Sequence, residues 1–179
     1  MKKILSVSFY AFLLAGFFSI TSCTKEPLII PYDFGEQTFC LPANPFQAYQ
    51  TYTFNINKAD IVAAMAAAGI TDIDRVTKAG LKPGFKAVVA TTGANLDEIA
   101  NIEVYMKLAG TGGTGNQIAY SDNISAGATE VGILISGAEL KEAVTNDVTI
   151  TVKILNKPSG NSAVCVKLTS GIIEVSVRR

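Results

Sequence analysis

From residue 49 onward the strongest constraint on this chain is a side-chain period of two. Tyr52, Phe54 and Ile56 alternate with Thr51, Thr53 and Asn55. Ala100, Ile102, Val104, Met106 and Leu108 alternate with Asn101, Glu103, Tyr105 and Lys107. The same pattern runs through Val148–Ile154, Val164–Leu168 and Ile173–Val177. Successive side chains of a strand leave on opposite faces, so each segment buries one face and wets the other. One dry and one wet face is the behaviour of antiparallel sheets. Weaker segments of the same kind lie at 70–78, 84–90, 116–121 and 130–135. The pattern predicts an all-β fold. Its form would be a two-sheet antiparallel β-sandwich, immunoglobulin-like or Greek key, of eight or nine strands with two short connecting helices. Ser170-Gly171 predicts a tight hairpin between the last two strands.

Both helices carry start signals. Asn57 is expected to cap a helix running through Met65 to Ala68, with Asp60 at N3 and Gly69 as the stop. Ser136 is expected to cap a second, with Glu139 completing a capping box. Phe54–Ile61 and Ile133–Leu140 match in character at an offset of 79 residues. A duplicated half-domain and convergent capping chemistry both explain that match.

The first residues differ in kind. Lys2 and Lys3 precede Ile4 to Ile20, an uncharged run in which 13 of 17 residues are apolar. Thr21-Ser22 then lead to Cys23. A basic start, an apolar stretch and a small-residue exit describe a secretory signal peptide. Ser19-Ile20-Thr21-Ser22-Cys23 resembles the lipobox of bacterial lipoproteins, with Ile20 and Ser22 at the aliphatic and small positions. The resemblance covers only the leader. It implies cleavage before Cys23, a diacylglycerol on that thiol and usually an acyl chain, such as palmitate, on the new amine. Two or three long chains hold a protein stably at a bilayer. By the same resemblance Thr24, next after the lipidated Cys, points to the outer membrane; which leaflet stays open. The expected organisation is therefore 1–22 signal peptide, 23–48 lipidated arm and 49–179 β-sandwich domain.

The arm holds Pro27, Pro31, Pro42 and Pro45, so it reads as extended and irregular. Seven of the ten aromatics beyond residue 22 lie between Tyr32 and Phe54, unlike a disordered linker. Two readings follow: the arm packs on the domain edge as an added strand, or Tyr32 and Phe34 begin an exposed binding strip. With Cys23 lipidated, Cys40 and Cys165 remain. An exported protein meets an oxidising compartment, so a Cys40–Cys165 disulfide is a candidate, against two free thiols. Cys165 shares its strand face with Ala163 and Lys167, so the bond would pin the arm to the outer face of the penultimate strand.

The remaining candidates are weak in chemistry. Gly110 to Gly115 contains G-x-G-x-x-G, but a strand and not a helix follows, so it reads as a hairpin loop. Gly112, Gly113 and Gly115 are its candidate ligand contacts, since glycines let a partner approach closely. Asp72 with Asp74, and Asp97 with Glu98, are paired acids without a third nearby ligand. A Ser136–Lys141 dyad competes with Ser136 as a cap. The chain has no His, which removes the commonest general base and metal ligand and any Ser-His-Asp triad. Losing Lys2 and Lys3 leaves 13 basic side chains against 15 acidic, a net charge of −2, unlike a nucleic-acid binder. The expectation is a non-catalytic, cofactor-free and metal-free module of the cell envelope. It would meet the membrane through its lipid and bind a protein or polysaccharide ligand. An assembly subunit exchanging its arm with a neighbour, and a hydrolase using carboxylates, are the alternatives.

Overall fold

The computed structural model describes residues 26–43, 46–158 and 162–178. The leader and Cys23 lie outside them. The described chain is mostly β, with three antiparallel sheets and two α-helices. Its elements are β1 (Leu28–Asp33), β2 (Gln37–Leu41), β3 (Tyr49–Ile56), α1 (Lys58–Ala67), a 3-10 turn (Ile73–Arg75), β4 (Val76–Leu81), β5 (Lys86–Val89) and β6 (Ile99–Leu108). After these come β7 (Asn116–Ser121), β8 (Glu130–Gly132), β9 (Leu134–Ile135), α2 (Glu142–Thr145), β10 (Val148–Asn156), β11 (Val164–Thr169) and β12 (Ile172–Val177).

The five segments with the clearest alternation all form strands: β3, β6, β10, β11 and β12. β3, β10 and β6 lie side by side in a five-stranded sheet ordered β3-β10-β6-β7-β9. Their inward residues, among them Ile56, Ile102, Val104, Ile150 and Val152, are almost fully buried. They join one continuous apolar cluster with Val164, Val166 and Leu168 of β11 and Val175 and Val177 of β12.

Ser170-Gly171 does not make a hairpin. β11 sits in a four-stranded sheet, β2-β11-β5-β8, and β12 in a three-stranded sheet, β1-β12-β4. The two orders correspond: β1 runs on into β2, β4 into β5, and β12 continues from β11. Ser170 adopts a left-handed φ of 59° and accepts a hydrogen bond from Ile172 N–H at 3.0 Å, which turns the strand through a corner without reversing it. The ladder stays unbroken across the corner, because Phe34 N–H donates to Gly171 O at 3.1 Å and Lys82 N–H to Ile172 O at 2.8 Å. Gly171 is required there by space: a Cβ would overlap the Phe34 ring.

The arm is part of this structure. β1 pairs with β12 from Leu28↔Val177 to Asp33↔Ile172, and β2 pairs with β11 from Leu41↔Val164 to Gln37↔Leu168. The boundary expected at residue 49 therefore has no structural counterpart among the described residues. Alternation did not reveal these strands because Pro31 interrupts the pattern in β1 and β2 is only five residues long, ending just before Pro42. Pro31 is tolerated because β1 is an edge strand, where a missing N–H costs no ladder bond.

The helices depart from their sequence signals in instructive ways. α1 ends as expected, in a Schellman arrangement: Gly69 N–H donates to Ala66 O and Ile70 N–H to Met65 O, both at 2.9 Å. Its start is different. Asn57 makes no side-chain cap bond to the helix backbone. Instead Asp147, beyond α2, accepts from Lys58 N–H at 2.9 Å. α2 begins at Glu142, so Ser136 and Glu139 do not form a capping box. Ser136 Oγ donates to Gln117 O at 2.8 Å, and Glu139 Oε1 accepts from Ala79 N–H at 2.8 Å. Leu140 N–H donates to Ala79 O at 2.9 Å, so this segment covers the outer edge of β4. The two halves of the 79-residue repeat thus diverge: one gives a ten-residue helix, the other an edge clip and a four-residue helix.

Candidate functional site

The wet face of the five-stranded sheet is built by the polar members of the alternation. Register decides which of them meet. β10 lies between β3 and β6, with Lys153 opposite Thr51 on one side and Glu103 on the other. Leu155 stands opposite both Tyr49 and Asn101, and Thr151 opposite Tyr105. Tyr120 of β7 faces Glu103 from the far side, and the exposed Leu134 of β9 stands beside Tyr120.

Glu103 is the hub of this face. Tyr105 Oη donates to Glu103 Oε2 at 2.8 Å; Tyr49 Oη and Asn101 Nδ2 both donate to Oε1 at 3.3 Å. Lys153 Nζ lies 5.2 Å from the centre of the Tyr105 ring, within cation–π range. A carboxylate thus gathers two phenols and an amide, with a cation alongside, on an open sheet surface. The Tyr105 hydroxyl is pushed up to about 12, first by burial, then by its hydrogen bond to Glu103 and that carboxylate's charge, with a smaller contribution from Tyr49. Tyr49 is raised by burial, then by the charge and hydrogen bond of Glu103.

A measurable consequence follows. Folding raises the Tyr105 pKa, so the stabilisation it brings is complete below pH 10 and is lost as pH climbs towards about 12. Glu103→Gln should bring the late tyrosinate absorbance to lower pH. Part of the elevation should persist, because burial is its larger cause. Tyr105→Phe should delete the late component. An unchanged titration in Glu103→Gln would refute the hub.

The candidates read from sequence are placed elsewhere. Tyr32 and Phe34 do not make an exposed strip: both are half-buried against the core. Phe34 packs 5.7 Å from Phe54 and 6.0 Å from Phe85, and Phe39 lies 4.9 Å from Tyr52, ring centre to ring centre. These rings fill the corner where the strands bend. The Tyr32 hydroxyl is raised by burial first, then by Asp60 and Asp33.

Gly112, Gly113 and Gly115 lie in the loop joining β6 to β7. Lys107 Nζ donates to Thr111 O at 2.8 Å and Gly113 O at 3.0 Å. The loop's carbonyls therefore gather around a cation, the opposite polarity to a phosphate cradle. Gly115 takes φ +91°, and a Cβ there would strike the Met106 carbonyl, so the closing glycine serves the hairpin.

Cys40 and Cys165 are directly opposite across β2 and β11 and are joined by a disulfide. Both side chains lie on the outer face, away from Phe39, Leu41, Val164 and Val166. The paired acids have local structural partners. Asp72 accepts from Asp74 N–H at 3.0 Å to start the 3-10 turn, and Asp97 accepts from Gly127 N–H at 2.6 Å to hold a loop. No group of three or more potential metal-ligating side chains occurs among the described residues.

Sequence reasoning assigned Glu103, Tyr105 and Lys153 to the wet face without linking them. The available signal was the phenol two residues from a carboxylate on one strand. Strand order, which brings Tyr49 and Lys153 to them, was not in it.

No known protein-family profile and no curated protein matches the chain. Among solved structures, a chain of Desmodium yellow mottle tymovirus is similar at 12% identity and a TM-score of 0.26, covering 86% of this chain and 89% of that one. A chain of Cocksfoot mottle virus is similar at 11% identity and a TM-score of 0.30, covering 84% and 83%. Likeness at that level fixes neither family nor function.

Proposed function

We propose that this chain is a non-catalytic binding module of the bacterial cell envelope, lipidated at Cys23 and held at the outer membrane. Its ligand face is the open side of the five-stranded sheet. The carrying observation is the Tyr49–Glu103–Tyr105 cluster with Lys153 beside it. Phenols, an amide, a carboxylate and the neighbouring threonine hydroxyls match the hydroxyls and C–H faces of a polysaccharide. The lipobox resemblance supports the address, and the absence of His supports a module without catalysis.

We read the three sheets as two layers. Three joins support this, each carrying a strand between the four-stranded and the three-stranded sheet: β1 to β2, β4 to β5 and β11 to β12; a fourth, β8 to β9 through buried Ile133, passes one strand from this layer to the other. Counting each join as one bent strand turns twelve segments into an eight-stranded sandwich. Strand exchange through the arm finds less support, since β1 and β2 are already paired within the chain and tied by a disulfide.

Affinity electrophoresis through gels carrying envelope or capsular polysaccharides tests the reading. Retardation by at least one polysaccharide is expected, weakened about tenfold or more by Tyr105→Ala, as for an aromatic anchor at the centre of an interface. Free migration through every polysaccharide would overturn it.

A further inference from the structure

One edge of this fold lacks the protection the others carry. Asn156 N–H donates to Ala48 O at 3.2 Å, so Ala48 begins the hydrogen-bonded pairs between β3 and β10. Antiparallel pairs alternate strictly, so Gln50, Tyr52, Phe54 and Ile56 also direct their backbone groups at β10. The N–H and C=O groups of Tyr49, Thr51, Thr53 and Asn55 therefore point off the edge. Among the described residues no hydrogen bond reaches them. The strand is eight residues long, carries no charge and no proline, and pairs with β10 without a register shift.

Among the described residues every other sheet edge is blunted by a recognisable device. β1 has Pro31 at its middle, on an outward-facing position. The outer edge of β4 is clipped at Ala79 by Glu139 and Leu140. β2 has five residues and its Cys40 carbonyl accepts from Tyr52 Oη at 2.8 Å. β8 and β9 have three and two residues.

We infer that β3 pairs with β3 of a second copy of this chain, forming a two-fold dimer whose five-stranded sheets join edge to edge. The occupant follows from the edges themselves. With the others blocked, the only long edge a second copy can offer among the described residues is the same one, and like-with-like pairing closes at two instead of growing a fibre. The register also closes. Centring the two-fold axis on Tyr52 sets Thr51 opposite Thr53 and Tyr49 opposite Asn55 of the other copy. All four outward residues then fall in hydrogen-bonded pairs, giving eight backbone bonds with no group left over. No like charges meet, and threonines face threonines, a favourable cross-strand pair. The axis is perpendicular to the sheet, so both Glu103 faces point the same way.

The inference is independent of the ligand, and its test reads oligomeric state. The full chain in detergent should sediment as a dimer across the micromolar range. Thr53→Pro should sediment as a monomer with unchanged circular dichroism, because the N–H it removes points off the edge. Thr53→Lys, which sets a lysine opposite Thr51 of the other copy and diagonally across from the matching lysine on the same face, should also be monomeric and decides the matter if the proline variant misfolds. In cells, co-expressed Thr51→Cys and Thr53→Cys chains should cross-link, while either alone should not. A monomeric wild-type chain, a dimer that survives Thr53→Lys, or cross-linking equal in every combination would overturn the inference.

Discussion

Replacing both Cys40 and Cys165 with serine is expected to lower the unfolding free energy by about 4 kcal/mol. The bond spans a sequence separation of 125 residues, nearly the whole described chain, so its loss frees a very large loop in the unfolded state. The folded state should change little. The two side chains are cross-strand neighbours on the outer face, and the β2–β11 ladder that aligns them does not depend on them. Urea unfolding of oxidised wild type, reduced wild type and the double variant checks this. The last two should coincide well below the first, with similar slopes against denaturant. Coincidence of all three curves would show that the bond contributes nothing beyond the ladder.

The second large effect belongs to the corner. Gly171→Ala places a methyl group where the Phe34 ring already lies, between Phe54 and Phe85. Overpacking of this kind costs about 1–3 kcal/mol. Phe34→Ala alone also destabilises, since the ring is half-buried against the core. Combined, the two should cost clearly less than their sum, because the ring that obstructs the methyl is gone. Thermal melts of the two single variants and the double variant provide the cycle. Additive losses would show that the close approach of Gly171 to Phe34 is not what makes the glycine necessary.

Much of the fold was legible because alternation reports a physical fact about each strand separately, namely which side is dry. Ile102, Val104 and Met106 of β6 are buried, as their spacing requires. Alternation is silent about neighbours. Nothing local in the sequence says that Lys153 lies between Thr51 and Glu103, so the cluster on the wet face could not be assembled from sequence. Local capping signals misled for a related reason. Asn57 and Glu139 have the right chemistry for caps, but a distant Asp147 takes the first helical N–H and Glu139 serves the Ala79 edge instead. A short polar side chain near a free backbone group satisfies it wherever the fold brings them together, and sequence spacing shows only the nearby possibilities. The Ser170-Gly171 corner failed similarly. A residue with left-handed φ bends a strand as readily as it reverses one, and the flanking ladders decide which.

The position of the disulfide also sets how the protein answers tension. Under the anchoring proposed above, a pull between a bound ligand and the bilayer enters the fold at Leu28. It can peel β1 and the start of β2 from their neighbours. It stops at Cys40, where the covalent bond hands the load to β11 at Cys165. Residues 24–40, fully drawn out, span at most about 60 Å. The domain would then ride on a tether that lengthens by a bounded amount under force and recoils when released, with the ligand face still folded at its outer end.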